Sequence, residues 1–344
     1  MPAPAATAIR VALSPLSWIY GRIIEARNRR FDRDPATITR AAIPVICIGN
    51  LTTGGSGKTP LVMEVARRLA DCGVRPAIST RGYGAKPGEQ SDEVMEYRAA
   101  LPDTPVVVDP DRVRGAAAAA EAGADCLVMD DGFQHRRLHR DLDIVLIDAL
   151  DPWGADALLP AGRLREPLSG LRRADLIVIT RRNQVTPAEV AATESRLETL
   201  APETAVVHCD TMPTGVFRAD GEELEIESLQ TRCAAPVCGI GNPQTFLRMA
   251  GELCGHLTPP HLFRDHHHYT AADVRAIADS ARHAEANIVL TTRKDSVKLA
   301  PLWAAAPPDG LELVVLEIGA EVDDFEGDFD AALQGIIELC ENRE

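Results

Sequence analysis

Residues 44–65 read PVICIGNLTTGGSGKTPLVMEV, and the fold follows from how that stretch divides. Val45, Ile46, Cys47 and Ile48 form an apolar run of strand composition that ends at Gly49. A glycine-rich turn follows at Gly54, Gly55, Ser56 and Gly57. Then come Lys58 and Thr59, with Leu61, Val62, Val65 and Leu69 behind them at helical spacing. Strand, glycine turn and helix in that order make a phosphate cradle, because successive backbone N–H groups converge at a helix N-terminus. In such a loop the Lys58 ammonium reaches the terminal phosphates of a nucleoside triphosphate and the Thr59 hydroxyl meets Mg²⁺. The candidate nucleotide-binding residues are therefore Thr52, Thr53, Gly54, Gly55, Ser56, Gly57, Lys58 and Thr59. Thr52 stands where the usual spacing has its first glycine, while the GGSGKT core is complete.

Further short apolar runs lie at 75–80, 105–109, 125–131, 143–148 and 175–180, separated by helical segments such as the Ala-rich 112–123. Continuous rather than alternating apolar strands imply a parallel sheet covered on both faces. The second half repeats the pattern, with strands near 205–210, 236–239, 287–292 and 311–318 and helices near 243–254, 271–286 and 325–341. The expected fold is α/β: a P-loop NTPase-like, mostly parallel sheet with helices on both faces, a smaller C-terminal α/β domain and an N-terminal amphipathic helix. The expected segments are 1–40 for that helix, 41–215 for the core and 216–344 for the smaller region, part of which packs back onto the core.

At 344 residues, 45% hydrophobic and 25% charged, the chain is long enough for two domains of ordinary globular composition. A net charge of −15 argues against a general nucleic-acid binder. Residues 1–40 oppose the rest, holding seven Arg against Glu25, Asp32 and Asp34. That local excess of +4 leaves −19 on the remainder. Eight Cys without a CxxC pair read as reduced packing cysteines of a cytosolic compartment. No apolar run reaches the 18 or so residues that cross a bilayer.

Leu16, Ile19, Tyr20, Ile23 and Ile24 fall at helical spacing, with Arg22, Arg27, Arg29 and Arg30 around them and Trp18 at the edge. The pattern suits a helix lying on an anionic membrane surface, where each well-placed Arg adds about 1 kcal/mol. A helix packed on its own domain with solvated arginines is the other reading.

Asp130 and Asp131 close the apolar run Leu127–Met129, where phosphate-loop enzymes place a carboxylate on Mg²⁺ or its waters. Adjacent carboxylates at a strand end repel unless a cation is present. Directly after them His135, Arg136 and Arg137 fall at the same strand edge, where ligands of open α/β sheets gather. Residues 263–269 read FRDHHHY; three consecutive His cannot all face one ion, so proton transfer fits this segment better than structural zinc.

GNLTTGGSGKTP, RGYG, SDE, DDGFQH, LPAGRLREP, FRDHHHYT and TTRKDSVKL occur in this order across most of the chain. Together they resemble the tetraacyldisaccharide 4′-kinase family of Gram-negative lipid A biosynthesis. The resemblance implies ATP- and Mg²⁺-dependent phosphorylation of the 4′-hydroxyl of a tetraacylated glucosamine disaccharide 1-phosphate. It also implies a peripheral protein at the cytoplasmic face of the inner membrane, with no obligatory protein partner evident. It makes Asp92 the general base, His266 its partner, and Asp130 and Asp131 the magnesium carboxylates. Arg165 and Glu166 fall in the nucleotide pocket or an interdomain hinge, and Arg81, Tyr83, Arg112 and His135 on substrate or phosphate. Ser91 stands where the family commonly has Gly before the Asp-Glu pair.

Two other classes remain open to the sequence. One is a GTPase, for which TRKD at 292–295 offers only an imperfect guanine-reading pattern. The other is a non-catalytic nucleotide-binding membrane protein, which would leave the paired carboxylates and the histidine run without a task.

Overall fold

The computed structural model describes residues 4–82 and 90–343, the side chains of 4–9 excepted. Tyr83 lies outside the described residues. The chain forms two compact units, Met1–Tyr83 with Leu101–Thr211 and Ala320–Glu344, and Gly84–Ala100 with Met212–Gly319.

In the first unit, β1 (Val45–Asn50), β2 (Pro76–Thr80), β3 (Val106–Val108), β4 (Cys126–Asp130), β5 (Leu142–Asp148), β6 (Leu176–Thr180) and the start of β7 (Ala205–Arg218) make a sheet. Its order is β3-β2-β4-β1-β5-β6-β7 and every pairing is parallel. Val45 and Cys47 of β1 join Leu127, Met129, Val145, Ile147, Ile177 and Ile179 in one core. Ala116, Ala119, Leu197 and Ala201, from or next to the helices Arg112–Glu121 and Pro187–Leu200, complete it. The intervening Ile46 and Ile48 point to the opposite face by strand alternation and are fully buried. Helix Lys58–Asp71 packs against β1, β2 and β4 and meets the C-terminal helix Asp328–Glu341. Both faces are thus covered, which is why these strands read as unbroken apolar runs. β1 lies centrally, so the loop leaving its carboxyl end opens where the chain turns to opposite sides of the sheet.

The N-terminal helix runs from Pro4 to Arg33 with Pro15 inside it. Proline cannot donate to the carbonyl four residues back; the Ser14 hydroxyl donates to that Val11 carbonyl instead, at 2.8 Å. The packing face is not the apolar one. Ser17 donates to Leu158 O and accepts from Ala161 N–H, Tyr20 donates to Arg165 O, and Asn28 donates to Glu166. Leu16, Trp18, Ile19 and Ile23 are instead exposed, at 54, 69, 50 and 61%. The apolar spacing therefore marks the outward side, with Tyr20 turned inward. No helix among the described residues is long and apolar enough to cross a membrane.

In the second unit β7 continues and pairs with β8 (Glu223–Leu224) antiparallel. β9 (Cys233–Cys238), β12 (Ile288–Thr292) and β13 (Glu312–Asp323) are parallel neighbours. β10 (His256–Leu257) and β11 (His261–Leu262) both join β9. Helices Ala271–His283 and Arg293–Ala305 cover one face through Val274, Ile277, Leu299 and Trp303. Helix Pro243–Leu253 covers the other through Phe246 and Met249. Helix Asp92–Ala100, from the far earlier segment, packs on helix Arg293–Ala305.

Candidate functional site

The phosphate loop leaves β1 at Asn50 and enters helix Lys58–Asp71 through Gly57, whose φ of 81° is left-handed. Gly54 has φ 115°, and a Cβ there would lie 2.2 Å from the Arg163 guanidinium, so glycine is required on both counts. Side chains from elsewhere in the unit hold the loop's carbonyls. Arg163 donates to Thr53 O, Arg181 to Gly55 O and the Thr180 hydroxyl to Ser56 O. Arg181 is itself paired with Asp148. The Ser56 hydroxyl is buried with no hydrogen-bond partner, and Thr52 accepts from Asn50. Thr59, in the first turn of the helix, is half-buried.

Lys58 Nζ donates to Asn50 Oδ1 at 3.3 Å and lies 3.4 Å from Asp131. Arg165 reaches Asp131 at 2.8 Å. Burial pushes the Asp131 carboxyl up, but the Lys58 and Arg165 charges outweigh it and hold it at about 2. Asp131 is therefore an anion at any working pH. Asp130 is buried at the end of β4, and its carbonyl accepts from the buried Arg112 at 2.8 Å. Glu166 is also buried and accepts from Asn28, Gln134 and Arg173, which makes it a brace beneath Arg165.

Arg81 donates to His135 Nε2 at 2.5 Å. Burial, then Arg81, Arg112 and Arg27, lower the His135 pKa to about 4, so a neutral imidazole stands among arginines. His135, Arg112 and Arg137 line a cavity of about 330 Å³ with Pro110, Asp111, Val113 and Leu138. Its cationic lining can take an anionic group.

Mg²⁺ bound with a nucleotide keeps waters and takes one or two protein carboxylates, with phosphate oxygens completing the shell. Thr59, Asp130 and Asp131 supply the donor types of that partial set, and among the described residues the buried Ser56 hydroxyl has no hydrogen-bond partner. Among the described residues no group of three or more His, Cys, Asp or Glu is placed to hold a metal ion without a ligand's help.

The second unit holds a separate cluster. Asp92 opens helix Asp92–Ala100 and is 8% exposed. His266 Nδ1 lies 2.8 Å from its Oδ2, across 174 residues of sequence. The three histidines separate. His266 has φ 60° and turns to Asp92, His267 stacks on Phe263 and pairs with Asp273, and His268 is exposed. Tyr269 anchors the segment by donating to the buried Asp295, which also accepts from Gly239 N–H and Thr292. Burial raises the Asp92 pKa, but hydrogen bonds from Lys298 and His266 outweigh it and leave it below the ordinary value.

Sequence reasoning named Lys58, Asp131 and Arg165, which the structure brings together, and Asp92 with His266, which it also brings together. It missed Asn50, Arg163, Arg181 and Lys298. Only Lys298 carried a signal, standing one helical turn after Lys294 in the RKDSVKL run.

A family model described as Tetraacyldisaccharide-1-P 4'-kinase (LpxK) matches residues 9–338. The chain is 39% identical over 331 residues to the Tetraacyldisaccharide 4'-kinase of Anaeromyxobacter sp. (strain K), covering 89% of this chain and 86% of that one. It is 36% identical over 323 residues to the protein of that name from Syntrophus aciditrophicus (strain SB), covering 86% of each. The crystal structure of LpxK from Aquifex aeolicus in complex with ATP superposes with a TM-score of 0.73 at 29% identity, covering 95% of this chain and 99% of that one. With a family match that runs from the N-terminal helix into the C-terminal one, this chain belongs to the tetraacyldisaccharide-1-P 4'-kinase family.

Proposed function

We propose that this chain transfers the γ-phosphoryl group of ATP to the 4′-hydroxyl of a tetraacyldisaccharide 1-phosphate, a step of lipid A biosynthesis. The observation that carries the reading is the Asp92–His266 pair, 2.8 Å apart, in a chain that also has the GGSGKT core of a phosphate loop. A GTPase or a nucleotide sensor has no use for a buried carboxylate held by an imidazole; a kinase with an alcohol acceptor needs one.

In this reading the alcohol oxygen attacks the γ-phosphorus, the bond to the β,γ-bridging oxygen breaks, and ADP leaves. The alcohol proton passes to Asp92, and His266 orients that carboxylate. Lys58 and the loop N–H groups hold the phosphates, and Asp131 with Arg165 fixes the Lys58 ammonium. Thr59, Asp130 and Asp131 would hold Mg²⁺, which when bound neutralises phosphate charge. Arg81, Arg112 and His135 face anionic parts of the substrate, and Tyr83 belongs with them by its place in RGYG. Glu166 supports the nucleotide pocket indirectly. The core over 41–215 carries the nucleotide chemistry, and the region after 216 presents His266. The test is transfer of label from γ-labelled ATP to a tetraacyldisaccharide 1-phosphate in detergent micelles. Label on the distal sugar is expected. Release of free phosphate alone, or a preference for GTP, would overturn the reading.

The substrate's acyl chains keep it in a bilayer, so its headgroup must be met at the surface. Helix Pro4–Arg33 turns Leu16, Trp18, Ile19 and Ile23 outward beside Arg22, Arg29 and Arg30, as a helix lying on the anionic cytoplasmic face of the inner membrane would. Burying each such side chain in the interface is worth about 1.5–3 kcal/mol at most. Ile19→Glu with Ile23→Glu is therefore expected to lower binding to phosphatidylglycerol vesicles by about tenfold or more in sedimentation. Thermal stability should be unchanged, since neither residue packs. Undiminished vesicle binding would remove the helix from that role.

A further inference from the structure

We propose that Lys298 is a positioning residue for phosphoryl transfer, fixing one oxygen of Asp92 so that the other is presented to the alcohol. This rests on the reading of Asp92 as the base. Lys298 Nζ donates to Asp92 Oδ2 at 2.7 Å, and His266 Nδ1 meets the same Oδ2 at 2.8 Å. Both donors converge on one oxygen, and among the described residues none donates to Oδ1. The lysine and aspartate side chains are 13 and 10% exposed, so the pair is poorly screened. With two donors on Oδ2 the carboxylate plane is fixed and Oδ1 is left as the accepting oxygen, the preorganisation that proton transfer requires.

The frame around the pair is built for this. Lys294, one turn earlier on helix Arg293–Ala305, donates to Asp265 at 2.9 Å. Asp265 lies 3.7 Å from His266 Nε2. The imidazole thus stands between two carboxylates, each tied to a lysine of one helix face. That helix is fixed at its start by Thr292, which caps Asp295 N–H, while Asp295 holds Tyr269 and Gly239. Lysine and histidine segments are registered to each other before any substrate arrives.

The charged groups that act on Asp92 are Lys298 and His266, and Glu96 of its own helix feels Asp92 together with Lys294, Glu93 and Asp295. Glu96 is pushed up to about 7, by burial first and then by Glu93, Asp295 and Asp92, against the opposing pull of Lys294. Without Lys298 the remaining carboxylates favour a protonated Asp92, so the base would be lost at a higher pH.

A mere tether between helices Asp92–Ala100 and Arg293–Ala305 would also make this ion pair, and the pH profile separates the two. The full-length chain is assayed with ATP and a tetraacyldisaccharide 1-phosphate in micelles. For Lys298→Met the acidic limb of kcat is expected to move up by about one to three units. At pH 7 kcat falls by about 10- to 100-fold, while KM for ATP stays within about threefold. Lys298→Arg should return the limb toward its original position. Lys298→Gln, neutral but still a donor, is run in parallel so that the limb is read even where the Met variant is not stably folded. An acidic limb that coincides with wild type in the neutral variants overturns the proposal, whether or not kcat falls. So does a shifted limb that Arg fails to recover. Wild-type turnover in Asp92→Asn would instead overturn the underlying assignment of the base, and is scored separately.

Discussion

Lys58→Ala is expected to lower kcat by about 10²- to 10³-fold, with a folded protein and a KM for the lipid that hardly moves. The ammonium is already held between Asn50 Oδ1 and Asp131, where the proposed function has the terminal phosphates arrive. A preorganised cation of this kind is worth about 3–4 kcal/mol where charge redistributes in the transition state. Its loss cannot be covered by Arg165, which is engaged by Asp131 at 2.8 Å. Single-turnover measurement with saturating ATP is the right check, because it reads the chemical step rather than product release. Activity within threefold of wild type would remove Lys58 from the phosphates.

The second large effect is at Asp92. Asp92→Asn keeps the volume and removes the basic oxygen, and kcat should fall by about 10²- to 10⁴-fold, the range of general-base contributions. ATP affinity should be unchanged, since none of the groups on Asp92 belongs to the phosphate loop. His266→Ala should cost less, as it removes an orienting group while Lys298 still holds Oδ2. Equal losses in the two variants would mean that the imidazole carries the proton itself. Fluorescent-nucleotide titration beside steady-state rates resolves affinity from turnover.

The central strands of the first unit were legible because they are buried on both faces, which demands apolar side chains on successive positions, as at Val45–Ile48 and Leu176–Ile179. The phosphate loop was legible because its glycines answer to backbone geometry. What could not be read were contacts between distant segments. Helix Asp92–Ala100 belongs with residues 212–319, yet nothing local in DEVMEYRAA says so. Lys298 follows Lys294 by one helical turn, but its partner Asp92 lies 206 residues away in the sequence. The N-terminal helix packs through Ser17, Tyr20 and Asn28, which bond backbone carbonyls and Glu166, and through the buried Phe31, while Leu16, Trp18, Ile19 and Ile23 stay exposed. β7 and β13 ran past their apolar stretches, to Arg218 and Asp323, because backbone pairing continues where side-chain burial does not. Asp92 and His266 were matched through the family likeness, not through any spacing.

The carbonyls of Thr53, Gly55 and Ser56 are each captured by a side chain from residues 163–181. In a trans peptide the N–H points opposite to the C=O, so tying these oxygens outward aims the amides of Gly54, Ser56 and Gly57 the other way. The cradle's curvature is thus inherited from β6 and the 163 turn, more than a hundred residues downstream. Grafting residues 49–59 onto a foreign strand and helix would transplant the glycines and leave the shape behind. Variants at 163, 180 or 181 would present as nucleotide-affinity defects although the side chains they replace bond the loop's carbonyls and not its N–H groups.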